Sequence, residues 1–247
     1  SKMVVNQSME FKELLSPVQG EVSGYTSGGN APPFVNKIDK FPFSADGNAT
    51  DVGDLTRARH SLAGQSSTES GYSSAGRSAI ADPENIIDKF PFAVDANATD
   101  VGDLSAARYS RAGQSSSTSG YTSGGATSTI LNTIDKFPFA ADANATDVGD
   151  LSQSRSGPTG QSSSVSGYTS GGYNPSKVNT IDKFPFAADG NATDVGDLTQ
   201  ARSNAAGQSS DISGYTSGGR IATTPTYINT IDKFPFAADT NATDVSD

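Results

Sequence analysis

Cysteine and tryptophan are absent from this 247-residue chain, histidine occurs once and methionine twice. Without cysteine there is no disulfide and no thiolate chemistry, so either redox compartment is compatible with the sequence. With His60 the only imidazole, histidine-based metal sites and acid–base pairs have a single contributor at most. Hydrophobic residues make up 34%. No apolar run reaches the length of a membrane span, and residues 1–22 hold no signal-like apolar core. Basic residues are also few: 17 Lys and Arg against 27 Asp and Glu leave a net charge of −10. That balance argues against a nucleic-acid backbone or an anionic lipid surface as partner. It does not identify a compartment.

What the chain does have is a repeat. IDKFPF occurs at Ile38–Phe43, Ile87–Phe92, Ile134–Phe139, Ile181–Phe186 and Ile231–Phe236, at intervals of 49, 47, 47 and 50 residues. SGYTSGG or a close variant precedes each copy, with its tyrosine at Tyr25, Tyr72, Tyr121, Tyr168 and Tyr215. NATDVGDL follows from Asn48, Asn97, Asn144 and Asn191, and NATDVSD from Asn241. AGQSS appears at Ala63–Ser67, Ala112–Ser116 and Ala206–Ser210, with the variant TGQSS at Thr159–Ser163. A disordered tract has no reason to place its apolar residues at fixed intervals, yet ten of the twelve Phe lie in the IDKFPF copies.

Each unit thus holds four short runs separated by Gly, Asn, Asp and Ser, the signature of strands joined by turns. Only Met9–Leu15 has any helical periodicity. In IDKFPF, Asp and both Phe fall on one face and Ile, Lys and Pro on the other, which fits a sheet packed between two neighbouring sheets. Pro there is expected at an outer position or a bulge. The AGQSS and GYTSGG runs are built of small residues suited to a crowded axis. Four strands per unit and five units predict an all-β fold, a five-bladed β-propeller of four-stranded antiparallel blades. A parallel β-helix competes, although its coils are usually shorter and lack hairpin turns. The blades are expected near 10–55, 56–104, 105–151, 152–198 and 199–247, forming one domain. Residues 1–9 are expected to close the ring, with Met3–Gln7 beside the last blade.

The order of a small-residue strand, GY-x-x-GG, a variable loop, N-x-I-D-K-F and an Asp-rich turn resembles the kelch repeat. The resemblance covers nearly the whole chain. Gly28–Gly29, Gly124–Gly125, Gly171–Gly172 and Gly218–Gly219 match the kelch double glycine, with Ala75–Gly76 in the second copy. Phe41, Phe90, Phe137, Phe184 and Phe234 match its third-strand aromatic, while its fourth-strand Trp is missing throughout. Kelch propellers mostly have six or seven blades. The kelch-like copper oxidases need a Cys-linked Tyr and histidine ligands, which this chain cannot supply.

Strand order also sorts the loops. In an antiparallel meander the second-to-third and fourth-to-first connections share one face. Those are the segments that vary between copies: 30–35, 77–86, 126–131, 173–178 and 220–228, and segments such as 56–62 and 105–111. The near-identical loops lie opposite. Variable loops on a rigid scaffold suit a single asymmetric partner, and also suit neutral drift.

Four sets of residues are candidate sites. The tyrosines and Gln65, Gln114, Gln161 and Gln208 could stack on and hydrogen-bond a sugar at each blade. Arg59, Arg108, Arg155 and Arg202 could ring an anion, or pair with acids such as Asp39, Asp88, Asp135, Asp182 and Asp232. Asp142, Asn144 and Asp147 alternate oxygen ligands as a Ca²⁺ site would, and equally as Asx-type turns would. N-A-T also reads as a glycosylation acceptor. The expected function is non-enzymatic binding, either lectin-like with weak repeated glycan sites or a protein-binding or structural scaffold, including a phage or cell-surface component or an engineered repeat. A monomeric ring without a required cofactor is expected, and near-identical blades permit domain swapping.

Overall fold

A computed structural model describes residues 22–30, 33–224 and 226–246. Among them every regular element is a strand. The first blade shows β1 (Ser23–Gly29), β2 (Val35–Pro42) and β3 (Thr50–Asp54). The second holds a short β4 (Arg59–His60), then β5 (Ala63–Ser66), β6 (Ser70–Ser78), β7 (Glu84–Pro91) and β8 (Thr99–Asp103). The third is β9 (Ala112–Ser115), β10 (Ser119–Ser123), β11 (Thr133–Pro138) and β12 (Thr146–Asp150). The fourth is β13 (Thr159–Ser162), β14 (Ser166–Ser170), β15 (Thr180–Pro185) and β16 (Thr193–Asp197). The fifth is β17 (Ala206–Ser209), β18 (Ser213–Ser217), β19 (Ile231–Pro235) and β20 (Thr243–Ser246). The sheets are antiparallel meanders in chain order, except that β4 and β5 both pair with β6 in the second, and together they form a five-bladed β-propeller. The expected strand at Met3–Gln7 and the periodic segment Met9–Leu15 lie outside the described residues.

The register is the same in every blade. Tyr121 of β10 faces Gln114 of β9 and Lys136 of β11, and Tyr168 of β14 faces Gln161 and Lys183. On the outer pair, Ile134 faces Gly149 but Asp135 faces Asp147, so Val148 is an extra residue on β12. This bulge turns Val148 towards the following blade, where it packs beside Phe184. The proline of IDKFPF is neither on an outer strand nor at the bulge. Pro138 is the last residue of β11, where its missing N–H interrupts no further ladder bond.

The alternation of IDKFPF divides the core as the period of two predicts. Phe137 joins Tyr72 of the preceding blade, whereas Ile134 joins Tyr121, Leu151 and Phe184 of the following junction. Near the axis the inner strands approach one another closely. A Cβ on Gly160 would sit 2.2 Å from the Gly113 carbonyl oxygen. The double glycine has a different task. Gly124 ends β10 with φ +65°, and a Cβ there would come within 2.8 Å of the Arg155 carbonyl. Gly125 then donates to that same carbonyl at 2.9 Å. The second blade reaches the same left-handed turn with Ala75, φ 61°.

Candidate functional site

The repeated residues singled out by the sequence lie mainly between blades. Tyr72, Tyr121 and Tyr168 are 2–3% exposed. Their rings stack on Phe139, Phe186 and Phe236 at 4.8–4.9 Å and tilt against Phe137, Phe184 and Phe234 at 5.5 Å. Tyr25 makes the same contacts with Phe92 and Phe90. Burial pushes the phenols of Tyr72, Tyr121 and Tyr168 above their ordinary value. Tyr215 is half-buried and lies 5.9 Å from Lys233 Nζ. The amide Nε2 of Gln65 donates to Ser74 Oγ, and also to the Tyr121 carbonyl and Thr122 Oγ1 of the next blade. Gln114 and Gln161 repeat this one and two blades on, whereas Gln208 is exposed and accepts from Ser217.

The arginines pair with the acids the sequence placed near them. Arg59, Arg108, Arg155 and Arg202 meet Asp88, Asp135, Asp182 and Asp232, each side chain fully shielded from solvent. Arg108 and Arg155 also donate to backbone carbonyls, Arg155 to Thr180 at 2.9 Å. The Asp/Asn turn is divided among separate partners. Asp142 accepts from Lys89 at 3.0 Å, Asn144 Oδ1 from the Asp103 N–H at 3.0 Å, and Asp147 Oδ1 from the Gly149 N–H at 3.2 Å. Asn144 and Asp142 therefore clasp the preceding blade, and Asp147 shapes its own turn.

The variable segments meet on one face, as strand parity predicts. Tyr109 bridges Ala126, which bridges Ile130. Ser156, Tyr173 and Lys177 form the same small ribbon in the fourth blade, and Ser203, Arg220 and Tyr227 in the fifth. In the second blade His60 pairs with Arg77. Four turns enter these ribbons through a left-handed residue, Ser61, Ser110, Gly157 or Asn204, with φ 52–63°. Backbone is thus constant here while the side chains it presents differ.

Those side chains are aromatic and basic, although the chain is acidic overall. Tyr227 is 70% and Ile80 82% exposed. Arg77 lies over the Tyr109 ring at 4.4 Å and Lys177 over the Tyr173 ring at 5.9 Å. Asp82 grips Arg77 through both oxygens and holds its guanidinium above the ordinary arginine value. Arg220 is exposed beside Tyr227. His60 Nδ1 lies 3.0 Å from Ser61 Oγ and the ring sits 4.6 Å from Phe34. Among the described residues no carboxylate bonds the other ring nitrogen, which a Ser–His–acid arrangement requires. Rigid aromatics flanked by cations can grip apolar and anionic groups together.

None of these exposed side chains belongs to the repeat, so reading the repeat did not single them out. The available signal was the reverse one, a bulky aromatic or a cation standing where the other copies have a small residue. Compared with known proteins, the chain matches no family model and no curated protein sequence.

Proposed function

We propose that this propeller is a non-enzymatic binding module for a protein partner, engaged by the variable face. One observation carries the reading. The large side chains presented there, with Tyr173, Tyr227 and Arg220 exposed and Tyr109, Arg77 and Lys177 half-buried, differ from blade to blade on a similar bridged backbone. Such a surface has no fivefold equivalence to offer a repeated ligand. It suits a single asymmetric partner with exposed apolar groups and acidic side chains, since rigid aromatics and arginine are the usual interface anchors. The repeated Tyr and Gln that would build equal sugar sites mostly spend their rings and amides on the neighbouring blade. The kelch-like arrangement of double glycine and third-strand aromatic supports the same class of function, since propellers commonly present loops for binding.

The test is a peptide display library panned on the immobilised protein. Enriched peptides are expected to carry aromatic and acidic residues and to lose about tenfold or more in affinity on Tyr173→Ala and Tyr227→Ala, the loss of one or two anchors. They should bind Ile212→Ala unchanged, because Ile212 lies at the opposite face's tight turn. Binding lost equally on Ile212→Ala, or a glycan array showing equivalent saturable sites on several blades, would overturn the reading.

A further inference from the structure

Four junctions between consecutive blades use one set of contacts, facing one way. The tyrosine of the earlier blade stacks on the second Phe of the later blade at 4.8–4.9 Å. The lysine of the earlier blade reaches an Asp of the later blade's turn at 2.9–3.0 Å. The glutamine amide crosses in the same direction at three of them. Every blade therefore has a forward face, with Tyr, Lys and Gln, and a backward face, with Phe and Asp.

The fifth blade's forward face and the first blade's backward face each carry half of this set. Lys233 forms no ion pair with Asp46, and Tyr215 has no ring partner, among the described residues. Their surroundings are correspondingly open. Phe43 and Val245 are each 49% exposed. Strand β17 is exposed along its length, whereas the matching β9 and β13 are mainly buried. Thr26 is exposed where its counterparts Thr122, Thr169 and Thr216 are fully buried under a neighbour's glutamine.

Four junctions with matching geometry impose matching steps. Those steps leave two complementary half-junctions, a cation and a tyrosine on one, an acid and two phenylalanines on the other. A heterologous interface of this kind propagates between molecules where its rotation leaves the two ends of one chain unjoined. We infer that the chain associates head to tail with a second copy of itself, the fifth blade of one seated on the first blade of the next. Tyr215 then stacks on the neighbour's Phe43, Lys233 meets its Asp46, and Gln208 caps its Tyr25 carbonyl and Thr26. The contact continues the inter-blade core already present rather than creating a new kind of surface.

Light scattering on the eluting 247-residue protein, over a hundredfold range of loading, tests this. The expected mass exceeds the 25.3 kDa of one chain and rises with concentration. Phe43→Asp and, separately, Lys233→Asp are expected to return it to one chain while circular dichroism and the melting temperature stay unchanged. Because Phe43 is already half-exposed, loss of folding and loss of association are separable. Lys233→Asp combined with Asp46→Lys restores the pair with reversed polarity and is expected to restore the larger mass. A wild-type mass of one chain at all loadings overturns the inference, and so does a larger mass insensitive to both single substitutions.

Discussion

A guanidinium fully removed from water needs its counter-charge beside it, because an uncompensated buried ion costs several kcal/mol. Arg108 has that partner in Asp135, and both are fully shielded. Arg111 has none among the described residues. It is 6% exposed, donates through Nη2 to the Ser74 carbonyl, and leaves Nε and Nη1 without partners. Burial first, then the Arg59 and Arg108 charges, hold its guanidinium well below the ordinary arginine value. The two arginines therefore respond to substitution with opposite signs. Asp135→Ala strands Arg108 and is expected to cost about 3–5 kcal/mol. Arg111→Leu, which installs the residue found at the matching Leu62, is expected to gain about 1–3 kcal/mol by removing a buried polar group short of partners. Urea unfolding of both variants measures this, and a destabilised Arg111→Leu would show that the charge is compensated in solution. The Arg–Asp pairing was legible, because each of these arginines is followed by the aspartate of an IDKFPF copy 27–30 residues on. The unpartnered charge of Arg111 was not, because nothing local in RYSRAG tells which way that side chain turns.

At the scale of the strand, the junctions rest mainly on their aromatics. Each Tyr–Phe contact is worth about 0.5–1.5 kcal/mol beyond the area it buries. The half-exposed Lys–Asp bridges contribute about 0–1 kcal/mol. Both kinds of contact weaken in alkali. Tyr72, Tyr121 and Tyr168 are raised above the ordinary 10.0 by burial, so unfolded chains lose those protons first. Lys89, Lys136 and Lys183 are raised above 10.5, chiefly by hydrogen bonds to Asp142, Asp189 and Asp239. For both groups the folded state binds protons more tightly, so their stabilisation is present below the ordinary value and falls as pH rises past it. Melting temperature is expected to hold up to about pH 9 and fall above about pH 10. A melting temperature that stays level or rises to about pH 11 would contradict this assignment. The strand itself was readable: its period of two placed Asp, Phe and Phe together, and both Phe pack on the preceding blade while Asp135 meets Ser105 and Arg108 of the connecting segment. What lay across from each tyrosine was not readable, because its ring partner lies more than a whole repeat away and no local pattern encodes the contact. Read from sequence, the tyrosines are sugar-stacking rings, and the neighbouring Phe placed on most of them makes them core instead.

For the molecule as a whole, repetition and variation divide the labour. Repeated residues make the blades and their junctions, and the regular spacing of IDKFPF was enough to give the blade count and strand order. The variable segments decorate one face, and strand parity was enough to name that face. Which side chains matter there was less legible. Their exposure depends on bridges such as Ser203–Arg220–Tyr227, formed between segments whose sequence changes from copy to copy and which are longer in the second and fifth copies. The most direct test is to make that face uniform. Segments 173–178 and 220–228 are each replaced by the sequence of 126–131, Arg77 and Tyr109 are changed to Ala, and peptides selected on the natural chain are measured on the product. The expected result is an unchanged unfolding transition with binding lost, since the junction residues are untouched and the recognition residues are gone. Retained binding on a folded, loop-uniform propeller would contradict the account and place recognition on the repeated surface.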